Sequence, residues 1–192
     1  MTWKECKLLI CQDLKRTTTK LTYSIVVMYL LSNASFKMSF WFRIGTYLQG
    51  KRWHFVLYNL VYWHYKRLMY KTGIQLPIGT RVGGGLKFYH FGDVVINKNA
   101  VLGCNVSIYN GVTIGINLHP NEKSFPPIIG DNVVLCTGAK VIGSIKIGSN
   151  SVVGANAVVV KDIPIGCVVA GAPAKVLNTN GREYAQLFIN HK

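Results

Sequence analysis

His90 is the residue of this 192-residue chain whose type and position most suggest chemistry. It stands one six-residue step before Ile96, where a series of aliphatic residues with that spacing begins. An imidazole in such a slot is expected to be buried, and a buried imidazole must be hydrogen-bonded or must move a proton. Other chemistries lack their residues. The region of the series holds His90 and His119, short of a three-histidine metal site. There is no phosphate-binding loop and no G-x-S-x-G elbow, and Gly83 to Gly85 lack the strand-to-helix context of a nucleotide loop. Cys6, Cys11, Cys104, Cys136 and Cys167 form no C-x-x-C pair, which argues against a disulfide framework or a zinc site and fits a reducing cytosol.

The elements that must position His90 follow from the series itself. It runs Ile96, Leu102, Ile108 and Ile114, then Ile129, Leu135, Val141, Ile147, Val153, Val159 and Ile165. Four places after each stands a second, smaller set, from Ala100, Val106 and Val112 to Ala157, Ile163 and Val169. Asn and Gly, which tolerate left-handed backbone, recur between them. Six-residue segments are too short for free strands and too regular for loops. They must stack as a solenoid, three to a turn of about 18 residues. The count is interrupted by nine residues, PNEKSFPPI, expected to be extruded as a loop at about 116–128.

This pattern resembles the hexapeptide-repeat acyltransferases. It is most similar to the serine acetyltransferase branch and its relatives that O-acetylate capsule, colanic-acid-type and lipopolysaccharide sugars. The resemblance spans roughly residues 40–177 and is strongest over HFGDVVINKNAVLGCNVSIYNGVTIG (His90 to Gly115) and GAPAKVL (Gly171 to Leu177), with a fainter echo in FRIGTYL (Phe42 to Leu48). It implies a left-handed parallel β-helix with an N-terminal α-helical segment, acetyl-CoA as co-substrate, no metal, and a homo-oligomer, most simply a trimer. His90 matches the family's general base, which takes the acceptor hydroxyl's proton and returns it to the leaving thiolate. Backbone N–H groups near Asn110 and Gly111 are candidate oxyanion donors. A coenzyme A groove is implied around Gly138 and Ala155, with Lys161 and Lys175 near the phosphates.

The departures from the serine acetyltransferase pattern shape the expected acceptor. Gln75 falls where the family has an aspartate bracing the histidine; it can accept a hydrogen bond but supplies no charge. Tyr89 replaces the acid that precedes the histidine, and the loop histidine before a proline gives way to SFPP, with His119 nearby as a substitute. Tyr89, Asn110 and His119 are thus tentative acceptor contacts. These losses point from a zwitterion to a sugar hydroxyl of a bacterial surface polysaccharide or its precursor. Serine acetylation is the alternative, and a partner-binding scaffold the non-enzymatic one.

Composition divides the chain into residues 1–74, the β-helix at 75–177 and a tail at 178–192. The chain is 49% hydrophobic and 15% charged with a net charge of +15, which excludes extensive disorder and asks for an anionic partner. Residues 1–74 carry 12 Lys and Arg against 2 acids and read as aromatic, basic helices. The segment Trp53 to Tyr70 is apolar on nearly every face, so it is expected to be covered by partner subunits or by an anionic membrane surface. Nucleic acid is disfavoured, since no recognisable module accompanies the charge. The uncharged run Leu21 to Phe36 is shorter than the ~20 residues that span a bilayer. The reading is a cytoplasmic protein, peripheral on the inner face of the membrane.

Overall fold

The computed structural model describes residues 1–51, 54–117 and 124–190. Helices come first: α1 (Trp3–Lys15), α2 (Tyr23–Ser32), α3 (Ala34–Leu48) and α4 (Phe55–Thr72). Thr2 and Glu5 close a capping box on α1, the hydroxyl accepting from the Glu5 amide at 3.2 Å and the carboxylate from the Thr2 amide at 2.8 Å. Gly73, in left-handed conformation, ends α4 and turns the chain into the β-helix.

Among the described residues fifteen short strands follow and form three sheets. The first face holds β1 (Ile74–Gln75), β4 (Val94–Ile96), β7 (Thr113–Gly115), β10 (Lys140–Ile142) and β13 (Val158–Val159). The second holds β2 (Arg81–Val82), β5 (Val101–Leu102), β8 (Ile128–Ile129) and β11 (Lys146–Ile147). The third holds β3 (Lys87–Phe88), β6 (Ser107–Ile108), β9 (Val134–Leu135), β12 (Val152–Val153), β14 (Val168–Ala170) and the antiparallel β15 (Lys175–Asn178). Helix α5 (Gly181–Asn190) then packs Ala185 and Phe188 against the third face, over Val134, Val152 and Tyr109. Together with the relationships reported below, this is a left-handed parallel β-helix behind an N-terminal helical segment.

The aliphatic series fills the interior. Ile96, Leu102, Ile108, Ile114, Ile129, Leu135, Val141, Ile147, Val153 and Val159 are all buried, each contributing about 1.5–3 kcal/mol. Two steps of the series differ from the even count. Phe88, not His90, pairs with Ile108 and fills the interior slot. Ile163, not Ile165, bridges to Ile147, and Val169 pairs with Val153, so Ile165 is left 73% exposed. Cys167 consequently lies in the second interior series, level with Ser151, and is buried.

The helical segment is fastened by buried charge, a feature the basic composition conceals. Arg43 donates through Nε to Asp13 Oδ2 at 3.0 Å and through its terminal nitrogens to the carbonyls of Val82 and Gly83, each at 2.6 Å. Asp13 Oδ1 accepts from the amides of Gly85 and Leu86 at 2.8 and 2.9 Å. Arg16 donates to the Gly85 carbonyl at 2.8 Å and to Ser107 Oγ at 2.9 Å. A Cβ on Gly84 would lie 1.8 Å from Gln12 Oε1, so the glycine triplet is where α1 is seated against the first coil.

Candidate active site

His90 sits at the corner between the third and first faces. The step from Phe88 to Ile96 takes seven intervening residues, 89–95, where the next coil uses five between Ile108 and Ile114. This longer corner carries the imidazole outward, so His90 is exposed, not buried as its spacing predicted. The corner itself is tied down. Tyr89 N donates to the Ile108 carbonyl at 3.0 Å, Gly92 N to Thr72 at 2.8 Å and Val94 N to Gly73 at 3.0 Å. The His90 ring lies 5.7 Å from that of Tyr109 at 55°.

Coil by coil, the strand register places Asn110, Thr137, Ala155 and Gly171 above His90 along one edge. Thr137 Oγ1 and Asn110 Oδ1 are 3.1 Å apart. Gly138 adopts φ +74°, and a Cβ there would lie 2.0 Å from Asn156 Oδ1, so this edge stays narrow. His90, Asn110, Gly138 and Ala155 are thereby brought into one line. Lys175 belongs to β15 at the upper end of this edge, opposite Ala170. Lys161 lies in the corner between β13 and Ile163, on the far border of the first face, and is exposed. His119 lies outside the described residues, as does Trp53.

Gln75 lies on β1, first in an outward row that continues through Val95, Thr113, Lys140 and Val158. It lines two hollows between α4 and the first coil, of about 360 and 290 Å³, both shared with Lys66 and Met69. Among the described residues no hydrogen bond joins Gln75 to His90. Tyr89 turns the other way. Its ring stacks on Tyr109 at 4.6 Å, and its hydroxyl donates to the Phe188 carbonyl of α5. Burial, then Tyr89 and Cys136, pushes the Tyr109 phenol up to about 12. The Gly111 amide donates to the Gly92 carbonyl at 3.0 Å, so it is not a free oxyanion donor.

Lys140 is the charged group that sequence reasoning missed. It donates to the Gly111 carbonyl at 2.5 Å and to Thr113 Oγ1 at 3.2 Å, placing a cation on the first face beside the His90 edge. Its signal was available: it immediately precedes the inward Val141 and so must point outward.

A family model for bacterial transferase hexapeptide (six repeats) matches residues 126–161. Serine acetyltransferases of Staphylococcus epidermidis and Staphylococcus aureus are 39% and 40% identical over 117 residues, 61% of this chain. The chain spans 54% of the length of these relatives. The crystal structure of Neisseria gonorrhoeae serine acetyltransferase superposes with a TM-score of 0.73 at 31% identity, covering 93% of this chain and 70% of that one. The chain belongs to the serine acetyltransferase family. Soybean serine acetyltransferase is similar as well, with a TM-score of 0.73 at 29% identity over 91% of this chain and 69% of that one.

For this serine acetyltransferase family member, the expected resemblance to capsule and colanic-acid enzymes is not supported, and the sugar-acceptor expectation is overturned by these relatives. The case for a sugar rested on Gln75 in place of the bracing aspartate, Tyr89 in place of an acid beside the acceptor and SFPP in place of the loop histidine. The Tyr89 hydroxyl is instead committed to α5 and its ring to Tyr109, so its identity reports on helix packing.

Proposed function

We propose that the chain transfers acetyl from acetyl-CoA to the hydroxyl of L-serine, with His90 as general base. The observation that carries this reading is the exposed His90, projected by a lengthened corner in a chain that aligns over most of its length with Neisseria serine acetyltransferase. The imidazole takes the serine hydroxyl proton as the oxygen attacks the thioester carbonyl. Collapse of the tetrahedral intermediate breaks the C–S bond, and the imidazolium returns the proton to the thiolate, giving O-acetylserine and coenzyme A. Support for serine as acceptor comes from the crystal structure of the Neisseria relative in complex with serine.

Along the same edge, Gly138 and Ala155 form the floor for the pantetheine arm, with Lys175 at its upper end and Lys161 across the first face for phosphate. Asn110, on the His90 edge, and Lys140, beside it, face the acceptor. A homotrimer supplies the missing wall, because His90 stands open to water in the single chain while Val95, Phe125 and Ile128 leave apolar surface exposed.

The test is thiol release from acetyl-CoA with and without L-serine, with the product identified by mass spectrometry. Serine-dependent release of O-acetylserine is expected. A folded trimer that releases no more thiol with serine than without it overturns the assignment.

A further inference from the structure

Helix α2 is apolar on both long faces. Ile25, Val26, Tyr29 and Leu30 pack inward on the cluster formed with α1 and α3. Tyr23, Val27, Met28 and Leu31 point outward and are 94%, 56%, 51% and 77% exposed. No residue of this helix is buried and none is charged. A helix that meets water on one side carries polar residues there, so the outer face of α2 is suited to a non-aqueous contact. An apolar groove of about 480 Å³ continues this surface between α1, α2 and α3. Trp3 lines that groove and also the next hollow, with Leu57 of α4, which extends the apolar surface across the segment.

Charge selects the occupant. Residues 1–74 hold 12 Lys and Arg and two acids, Glu5 and Asp13. Asp13, Arg16 and Arg43 are buried, which leaves Glu5 as the exposed acid among the remaining Lys and Arg. Lys15 and Lys20 precede α2, and Lys37 follows it, donating through Nζ to the Leu31 carbonyl at 3.3 Å. Burial, then Lys37, Arg67 and Lys71, pushes the His64 imidazole down, a sign of positive potential over the neighbouring α4. A second copy of the chain on this face would set cations against the same cations, whereas anionic headgroups complement them. Ten residues of helix are about 15 Å long, half the ~30 Å hydrocarbon core. Among the described residues no single helix is long and apolar enough to cross a membrane, and α2 and α3 are bent apart by 111°.

We propose that α2 lies in the surface of an anionic bilayer, with Tyr23, Val27, Met28 and Leu31 at the headgroup–acyl boundary and Lys20 and Lys37 on lipid phosphates at its two ends. The proposal does not rest on the identity of the acceptor. It adds α2 to the contact expected of the Trp53 to Tyr70 segment, whose helix α4 buries Val61 and Tyr65 and exposes Phe55, Val56, Leu60, Trp63 and Tyr70.

The test is sedimentation of the full-length protein with phosphatidylcholine vesicles, with and without phosphatidylglycerol. Binding that requires phosphatidylglycerol and falls at least about tenfold at high salt is expected. Val27→Asp/Leu31→Asp is expected to reduce it about tenfold or more while leaving acetyl transfer in solution unchanged. Lys20→Glu/Lys37→Glu, which leaves the outward apolar residues of α2 in place, is expected to reduce it at least about tenfold. Equal binding to phosphatidylcholine alone, or undiminished binding by either variant, overturns the proposal. So does a change of oligomer mass in Val27→Asp/Leu31→Asp with vesicle binding intact, which would make α2 a subunit interface. The serine assay is separate, so failure of one reading is distinguishable from failure of the other.

Discussion

The corner after β3 and the corner after β13 depart from the even step in opposite directions. The first uses seven residues between Phe88 and Ile96, and the second uses three, 160–162, between Val159 and Ile163. The longer corner sends His90 out while Phe88 keeps the interior slot. The shorter one draws Ile163 in and leaves Ile165 outside, with Asp162 Oδ1 accepting from the Lys146 amide at 2.8 Å to hold the tightened turn. Interior slots are close-packed and each must be filled, so changes of length are absorbed at corners. A corner with residues to spare is where a side chain is released to act.

Stability measurements can break or sharpen this contrast, and the largest effect is expected beneath the longer corner's coil. Arg43→Ala should cost about 3–5 kcal/mol in chemical denaturation, because it strands the buried Asp13 carboxylate. Phe88→Ala should cost about 3–5 kcal/mol if Phe88 fills the interior slot. Ile163→Ala should cost about 2–5 kcal/mol by the same reasoning. Ile165→Ala should stay within about 0.5 kcal/mol, since the side chain meets solvent. If Ile165→Ala proved the costlier of the last two, the shortened corner would be misplaced.

Much of the β-helix was legible because its residues repeat a physical requirement: an aliphatic side chain at Leu102, Leu135 or Val153 is needed wherever a coil covers its neighbour. The corner lengths were not legible, since Phe88 and His90 both fall at plausible spacings and only the pairing of Phe88 with Ile108 decides between them. His90 was therefore singled out through a premise of burial that the structure replaces with exposure. Tyr89 was read by its neighbour in sequence, yet its partner Phe188 is 99 residues away. Arg16 and Arg43 were counted as surface charge, and nothing local distinguishes them from Lys15 or Lys37; their burial depends on the carbonyls of Val82, Gly83 and Gly85.

The most direct test of the account compares the wild-type protein with His90→Ala in acetyl-CoA turnover with L-serine, alongside thermal unfolding of both. A fall in kcat of about 10²- to 10⁴-fold with an unchanged unfolding midpoint is expected, because the imidazole moves the proton and contributes nothing to the interior. Turnover at the wild-type rate in His90→Ala would contradict it, as would a loss of activity fully explained by loss of folded protein.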